Sequence, residues 1–366
     1  MMKITSIRVG LVHIPLKTPF ITALRRVDEA SDLIVMMETD DGATGYGNAP
    51  ATVVITGDSY ASIEEAICHV IGPKLIGRSI EDREGLLQTI QESMVHNTSA
   101  KAALDVAIHD LFCQHYSMPL YRFFGGCRTE IASDLTISLN APDIMAENAK
   151  KALEQGYTTL KLKVGVDATL DWARVKAIRH AVGPDIQLRL DANQGWKPKE
   201  AVRIITAMED ADFNIELIEQ PVKAYDIDGL SFVTGHVATP IMADESAFSP
   251  RDVFTLLSKH ACDLINIKLM KAGGLGPASQ IAAMAQACGV DCMMGCMLES
   301  KVGISAAAAL SAGSMGIVKN DLDAADLMAD DPFTGGITYH RNTICLPDAP
   351  GLGITGVKNW KEVSVI

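Results

Sequence analysis

No C-x-x-C pair occurs among the eight cysteines of this 366-residue chain, which removes the usual zinc-ribbon and dithiol signatures. Cys288, Cys292 and Cys296 run from a helix end into the strand-like VDCMMGC, a placement that suits reduced, partly buried thiols rather than a metal cluster. Aromatic residues make up only 5% of the chain against 48% hydrophobic content, so the core is packed mainly from Val, Ile, Leu, Met and Ala, as in an α/β protein. Positive charge is also scarce. A formal net charge of −13 argues against a nucleic-acid partner, whose binding rests on basic patches. It names no substrate, because an acidic surface is mainly a statement about solubility. No apolar run approaches the roughly 20 residues that span a bilayer. The opening MMKITSIRVGLVHIPL alternates like a strand and shows no signal-peptide cleavage site, so the chain reads as cytoplasmic, without a membrane partner.

What is present is organised in two parts. Residues 3–16 and 32–47 alternate apolar and polar around an Asp40-Asp41-Gly42 turn. Helical runs follow over Ser62–Ile71, Ile80–Met94 and Thr98–Tyr116. This gives an α+β capping domain over 1–125, ending where Pro119-Leu-Tyr-Arg-Phe-Phe-Gly125-Gly126 breaks the pattern. From Ile131 strands and helices alternate. Strand-like runs DLTISLN, TLKLKVG, IQLRLDA, IELIEQP, PIMADES, DLINIKL, VDCMMGC and IVKNDLD number eight, the count that closes a (β/α)8-type barrel, here over 126–336. The Gly- and Pro-containing tail 337–366 is expected to return and pack against the capping domain.

Five of these strands end in charge. Lys163, Asp191, Glu219, Asp244 and Lys268 lie 28, 28, 25 and 24 residues apart, the beat of successive βα units. A barrel builds its site at the C-terminal ends of its strands. Each acid alone could be a helix N-cap, the commoner role for Asp after a strand. Three in succession are the hard oxygen donors that suit Mg2+, with Asn193, Gln220 and Glu245 close behind to support them. Lys161 and Lys163 are two apart and share one side of their strand. If both point inward they depress each other's pKa, moving one toward neutrality where it can act as a base; if outward they are a solvated pair. Lys268, on strand six, faces strand two across the mouth. The two sides suit removal of a proton from one face of a carbon and its return to the other, with a metal steadying the ene-diolate. A Schiff base at Lys268 is the alternative, but it needs no metal carboxylates. The glycines after Lys271 read as a tight turn or, less simply, a phosphate cradle.

With these residues in place the chain resembles the enolase superfamily over essentially its whole length, and within it the muconate-lactonising subgroup. The K-x-K pair, the D…E…D series and the strand-six lysine carry the resemblance. Mandelate-racemase-like members differ, having a His–Asp dyad where this chain has Lys268. The resemblance implies one Mg2+ per subunit on Asp191, Glu219 and Asp244, with Lys163 and Lys268 as the bases and Lys161 lowering the pKa of Lys163. It also implies a homo-oligomer. The subgroup includes cycloisomerases, o-succinylbenzoate synthases, N-acylamino-acid racemases and dipeptide epimerases. A catalytically silent, peptide-binding barrel is the rival of another class.

Asp321-Leu-Asp323 on the eighth strand narrows the choice. Two carboxylates on one side of a strand repel unless a cation lies between them. A dipeptide brings a free ammonium; muconate, succinylbenzoate and N-acylated amino acids do not. The pair resembles the ammonium-binding signature of dipeptide epimerases. In relatives acting on L-Ala-D/L-Glu, which implies murein-peptide recycling, an Arg of the first capping loop receives the glutamate carboxylate, and Arg25 in TALR matches it. Arg26 reads as solvated, and ATVVITGDS as a second loop that closes over the site. Thr136, Cys296, Met297 and Glu299 are further candidate contacts. One departure is clear: GYGNAP carries Asn48 where relatives usually have Glu.

Overall fold

A computed structural model describes residues 2–366. The N-terminal sheet is built from long antiparallel strands β1 (Ile4–Ile21), β2 (Arg26–Thr39) and β3 (Thr44–Ala49). Helices α1 (Tyr60–Glu65), α2 (Arg83–Glu92), α3 (Thr98–His115) and the short α4 (Leu120–Phe123) follow. The helix expected over Ser62–Ile71 begins at Tyr60 and widens at Ala66 into a π-helical turn, Ala66–Ile71. Alternation in β1 and β2 buries one face, including Ile4, Ile7, Val9, Leu33, Val35 and Met37, against α3. Helix and sheet approach so closely that a Cβ on Gly47 would lie 1.9 Å from the carbonyl oxygen of Ala103. Only a glycine fits there.

After β4 (Glu130–Ala132) the chain enters an eight-stranded parallel sheet whose spatial order follows the sequence. Its strands are β5 (Leu135–Ile137), β6 (Thr159–Lys163), β7 (Gln187–Asp191), β8 (Ile215–Glu219), β9 (Ile241–Ala243), β10 (Leu264–Ile267), β11 (Asp291–Gly295) and β12 (Ile317–Asp321). Each coincides with one of the eight predicted runs. Around them lie α5 (Pro142–Glu154), α6 (Ala168–Val182), α7 (Pro198–Asp210), α8 (Ile227–Thr234), α9 (Pro250–Ser258), α10 (Leu269–Ala272), α11 (Leu275–Ala287) and α12 (Lys301–Gly313). Side chains and loop backbone close the ring between β12 and the start of β5: Asn320 Nδ2 donates to the Ala132 carbonyl (2.9 Å) and Leu322 N to Ser133 Oγ (2.9 Å).

The last strands are β13 (Phe333–Gly335), β14 (Thr338–His340), β15 (Thr343–Cys345), β16 (Ile354–Val357) and β17 (Lys361–Val365). Of these, β17 pairs antiparallel with β1. Buried Asp110 accepts from Tyr46 N (2.9 Å) and Leu352 N (2.8 Å), joining α3, the N-terminal sheet and the tail. At the other end of the sheet, Leu139 N donates to the Ile21 carbonyl (2.9 Å), which brings the β1–β2 hairpin over the barrel mouth. The eight cysteines are all free thiols. Among the described residues no helix is long and apolar enough to cross a membrane.

Candidate active site

The barrel register sets the site. Lys163, Asp191 and Glu219 are the last residues of β6, β7 and β8, and they stand side by side in the ladder. Asp244 and Lys268 directly follow β9 and β10, and Asp321 ends β12. Parallel strands in register present equivalent residues at one level, so one charged side chain per strand end becomes a ring. Just beyond, Asn193, Gln194 and Gln220 take φ of 41°, 67° and 36°. Left-handed backbone at three non-glycine residues is held by the packing around it, a recurrent mark of functional loops.

Four buried lysines serve the carboxylates. Lys161 Nζ lies 2.7 Å from Glu219 Oε2, 2.7 Å from Asp321 Oδ2 and 3.2 Å from Asp191 Oδ2. Lys163 Nζ is 2.5 Å from Asp191 Oδ2, and Lys268 Nζ is 2.8 Å from Asp244 Oδ2. Lys271 pairs with Asp244 Oδ1 and donates to the Asn266 carbonyl at 3.0 Å. Asn266 Nδ2 in turn donates to Glu219 Oε1 (2.8 Å). Asn193 Nδ2 reaches Glu245 Oε1 (3.3 Å), and Gln220 Oε1 accepts from Asp244 N (2.9 Å).

These charges set the state of Lys161 against the lowering expected for a lone pair of lysines. Burial alone would lower Lys161, but Asp321, Glu219 and Asp191 outweigh it and hold the ammonium well above its ordinary value. Lys268 is raised in the same way by Asp244 against its burial. The lysine pair is inward, as one reading had it, and both side chains meet at Asp191 Oδ2, Lys161 at 3.2 Å and Lys163 at 2.5 Å. Asp191, against its own burial, is drawn down to about 2 by Lys163 and Lys161. Glu219 goes up to about 8, from burial and the neighbouring Asp191, and Glu245 to about 7, from burial and Asp244.

The donor set fits a divalent cation. Six buried carboxylates (Asp191, Glu219, Asp244, Glu245, Asp321 and Asp323) face four lysines, and the raised Glu219 and Glu245 mark where a further cation would take the place of retained protons. Buried oxygens of Glu245 (Oε2) and Asn193 (Oδ1) have no donor. Glu219 Oε2 is near Lys161 Nζ but lacks hydrogen-bond geometry with it. Hard, unsatisfied oxygen atoms on adjacent strands are what Mg2+ takes. With ammonium groups between them, no three of the His, Cys, Asp and Glu side chains among the described residues already converge on one point.

Above the ring is a cleft of about 590 Å3, counted with its open mouth, large enough for a small molecule. Lys161, Lys163, Lys268, Asp321, Asp323, Thr136, Cys296, Met297 and Arg25 all line it, so the structure gathers the proposed base and substrate contacts around one space. Thr136 N donates to Asp323 Oδ2 (2.7 Å), and Asp323 is lifted to about 6 by burial and by Asp321. Arg25 is half-buried, while Arg26 is exposed and paired with Asp28 (2.9 Å). Glu299 lies just outside the cleft lining, accepting from Met297 N (2.9 Å). Sequence reasoning missed Phe20, Leu298, Ala324 and Leu327 in the wall, since apolar cleft residues look like core residues. It also missed Asn266 and the pairing of Lys271, although Lys271, three residues beyond Lys268, follows the same strand. The glycines after it, Gly273 and Gly274, take positive φ in a turn, the simpler of the two readings.

Comparison with known proteins agrees with this architecture. Residues 4–125 match the mandelate racemase / muconate lactonizing enzyme N-terminal domain, and residues 144–359 the enolase C-terminal domain-like family. A Bacillus subtilis protein named L-Ala-D/L-Glu epimerase is 51% identical over 99% of this chain and 100% of its own. The structure of its substrate-liganded complex superposes with a TM-score of 0.96, covering 98% of this chain and 100% of that one. An Enterococcus faecalis dipeptide epimerase, solved with Mg and the dipeptide L-Leu-L-Tyr, is 42% identical, with a TM-score of 0.94 over 97% of this chain and 100% of that one. An N-succinyl-L-Arg/Lys racemase of Bacillus cereus is 35% identical over 96% of this chain and 95% of its own.

Proposed function

The chain belongs to the enolase superfamily, and on that premise we propose that it is a Mg2+-dependent dipeptide epimerase that inverts the C-terminal residue, with L-Ala-D/L-Glu as substrate. The observation that carries the reading is the arrangement of the bases. Lys163 at the end of the second of eight barrel strands and Lys268 just beyond the sixth line one cleft, with Asp191, Glu219 and Asp244 on or just beyond the strands between them. Proton removal on one face and delivery on the other requires two such groups.

In this reading Asp191, Glu219 and Asp244 hold one Mg2+ per subunit. Bound there, the cation would supply Lewis-acid stabilisation of the charge that builds on the substrate carboxylate as the α-proton leaves. Lys163 takes the proton from one epimer and Lys268 returns one to the opposite face; the roles reverse for the other epimer. Lys161, already among three acids, keeps a fixed positive charge beside the reacting carbon. Asp323 with Asp321 receives the substrate ammonium, Thr136 N orients Asp323, and Cys296 and Met297 wall the peptide. Arg25 binds the glutamate side-chain carboxylate bidentately. With this reading go a cytoplasmic location, a homo-oligomeric assembly and a part in cell-wall peptide recycling.

Proton NMR of L-Ala-L-Glu with enzyme and Mg2+ in D2O tests it. The Glu α-proton signal is expected to disappear as the D-epimer appears; its persistence rejects this substrate. N-acylamino-acid racemisation is the second reading, favoured by one observation: Asp321 is already paired with Lys161, which leaves Asp323 as the freer acid of the pair. Replacing Asp323 by Asn separates the two, since a dipeptide enzyme loses activity and an N-acyl enzyme barely changes.

A further inference from the structure

The departure at residue 48 has a structural consequence that the chemistry above does not use. Asn48 on β3 lies opposite Ile34 of β2, and alternation puts Asp32, two residues before Ile34, on the same face. Asn48 Nδ2 donates to Asp32 Oδ2 (2.9 Å) and to Glu299 Oε2 (3.0 Å), the latter in the loop after β11. The acids hold that loop at two points. Glu299 Oε1 accepts from Met297 N (2.9 Å), and Asp32 Oδ2 accepts from Ser300 N (2.8 Å). Asp32, Asn48 and Ser300 are 0% exposed and Glu299 is 2%. Behind them Gly303 of α12 makes room: a Cβ there would lie 1.9 Å from Glu299 Oε2 and 2.7 Å from Asn48 Oδ1.

Two buried carboxylates on one amide nitrogen repel each other; among the described residues neither forms a salt bridge, and Lys268 lowers Glu299 less than burial and Asp32 raise it. The amide between them, together with a retained proton, makes the arrangement tolerable. Burial lifts Asp32 to about 6 and Glu299 to about 7, in the same sense. An acid at position 48 would remove both donors and set a third carboxylate in the same pocket. Cys296, Met297 and Leu298, at the start of the tethered loop, line the cleft, and the chain running on from Asn48 reaches the cleft again at Val54 and Ile55.

We propose that Asn48 is a positioning residue: through Asp32 and Glu299 it clamps the cleft wall Cys296–Leu298 to the capping sheet, and so sets how tightly the cleft holds its peptide. The second half of this rests on the proposed function; the clamp itself does not. Cys296 is only partly exposed, and burial with Asp321, Asp323 and Glu299 raises its thiol well above the ordinary value, so it alkylates slowly in the closed wall and faster labelling reports opening to solvent. Full-length wild type, Asn48→Asp and Asn48→Ala are treated with iodoacetamide, and each cysteine is followed by peptide mass spectrometry. Both variants are expected to label Cys296 about tenfold faster. Exposed Cys127 and Cys288, and Cys292 buried in β11, should keep their wild-type rates. With L-Ala-L-Glu, KM should rise while kcat stays within about twofold, the pattern of lost uniform binding. The alanine variant, which adds no charge, decides the matter if the aspartate variant does not fold. Wild-type labelling of Cys296 in a folded variant overturns the clamp, and a loss that falls on kcat alone overturns its role in binding. If wild type turns over no dipeptide, the proposed function fails, while the labelling still decides the clamp.

Discussion

Removing the two bases one at a time is informative because the structure leaves neither neighbouring acid stranded. Without Lys163, Asp191 keeps Lys161 at 3.2 Å and Asn193 N at 2.9 Å. Without Lys268, Asp244 keeps Lys271 on its other oxygen. Lys161→Ala is the contrasting case, because Glu219, Asp321 and Asp191 all converge on that one ammonium. Uncompensated buried charge costs about 3–5 kcal/mol, enough to unfold a marginal domain. Lys163→Ala and Lys268→Ala should therefore fold, each losing little stability, while Lys161→Ala should show a clearly lower denaturant midpoint. Activity separates differently. Loss of a general base costs about 10²–10⁴ in rate. Each single variant should thus lose epimerisation by that factor yet still exchange the α-proton of the one epimer served by the surviving lysine. The assay is deuterium incorporation from D2O into L-Ala-L-Glu and L-Ala-D-Glu separately, with thermal unfolding as the control. Full turnover by Lys163→Ala, or equal loss from both epimers in a variant as stable as wild type, refutes the two-base scheme.

Chelation with EDTA should abolish turnover and added Mg2+ restore it; a cation at 100 times its Kd should also stabilise the fold by about 2.7 kcal/mol, readable as a rise in Tm. Arg25→Met should lower kcat/KM for L-Ala-L-Glu by about 10²-fold or more, the loss of a charge-paired carboxylate site, and spare dipeptides with an apolar second residue; an unchanged preference removes Arg25 from the specificity site. Glu299, raised to about 7 by burial from an ordinary 4.5, gives a pH test on stability. The folded state keeps the proton where the unfolded chain has lost it, so this residue's share of stability is greatest below about pH 4.5 and falls as pH rises through 7, on the order of 3 kcal/mol in all. Glu299→Gln should flatten urea midpoints measured from pH 5 to 8 relative to wild type, and an unaltered slope contradicts the assignment.

The barrel and its charged strand ends were legible in the chain because both follow from local rules. A strand of alternating or continuous apolar residues, a helix with its apolar stripe and a turn between them recur at a near-constant interval. In a parallel barrel that interval carries each strand's last residue to the same rim. Lys163, Asp191, Glu219, Asp244 and Lys268 could thus be assigned to one mouth from spacing alone, and Asp321 and Asp323 followed from the eighth strand. What spacing cannot express is who pairs with whom across the rim. The K-x-K spacing put two lysines side by side, but only the folded chain shows the Lys161 ammonium reaching Glu219 and Asp321 on strands 58 and 160 residues away, whose charges hold its proton in place. Asn48 was an unexplained departure until folding brought Asp32 and Glu299, 16 and 251 residues distant, to its one amide nitrogen. Periodicity is a property of neighbours along the chain and can be read there. Protonation and clamping depend on distance and burial in space, which exist only once the barrel has closed on itself and, for the clamp, once the capping sheet has packed on it.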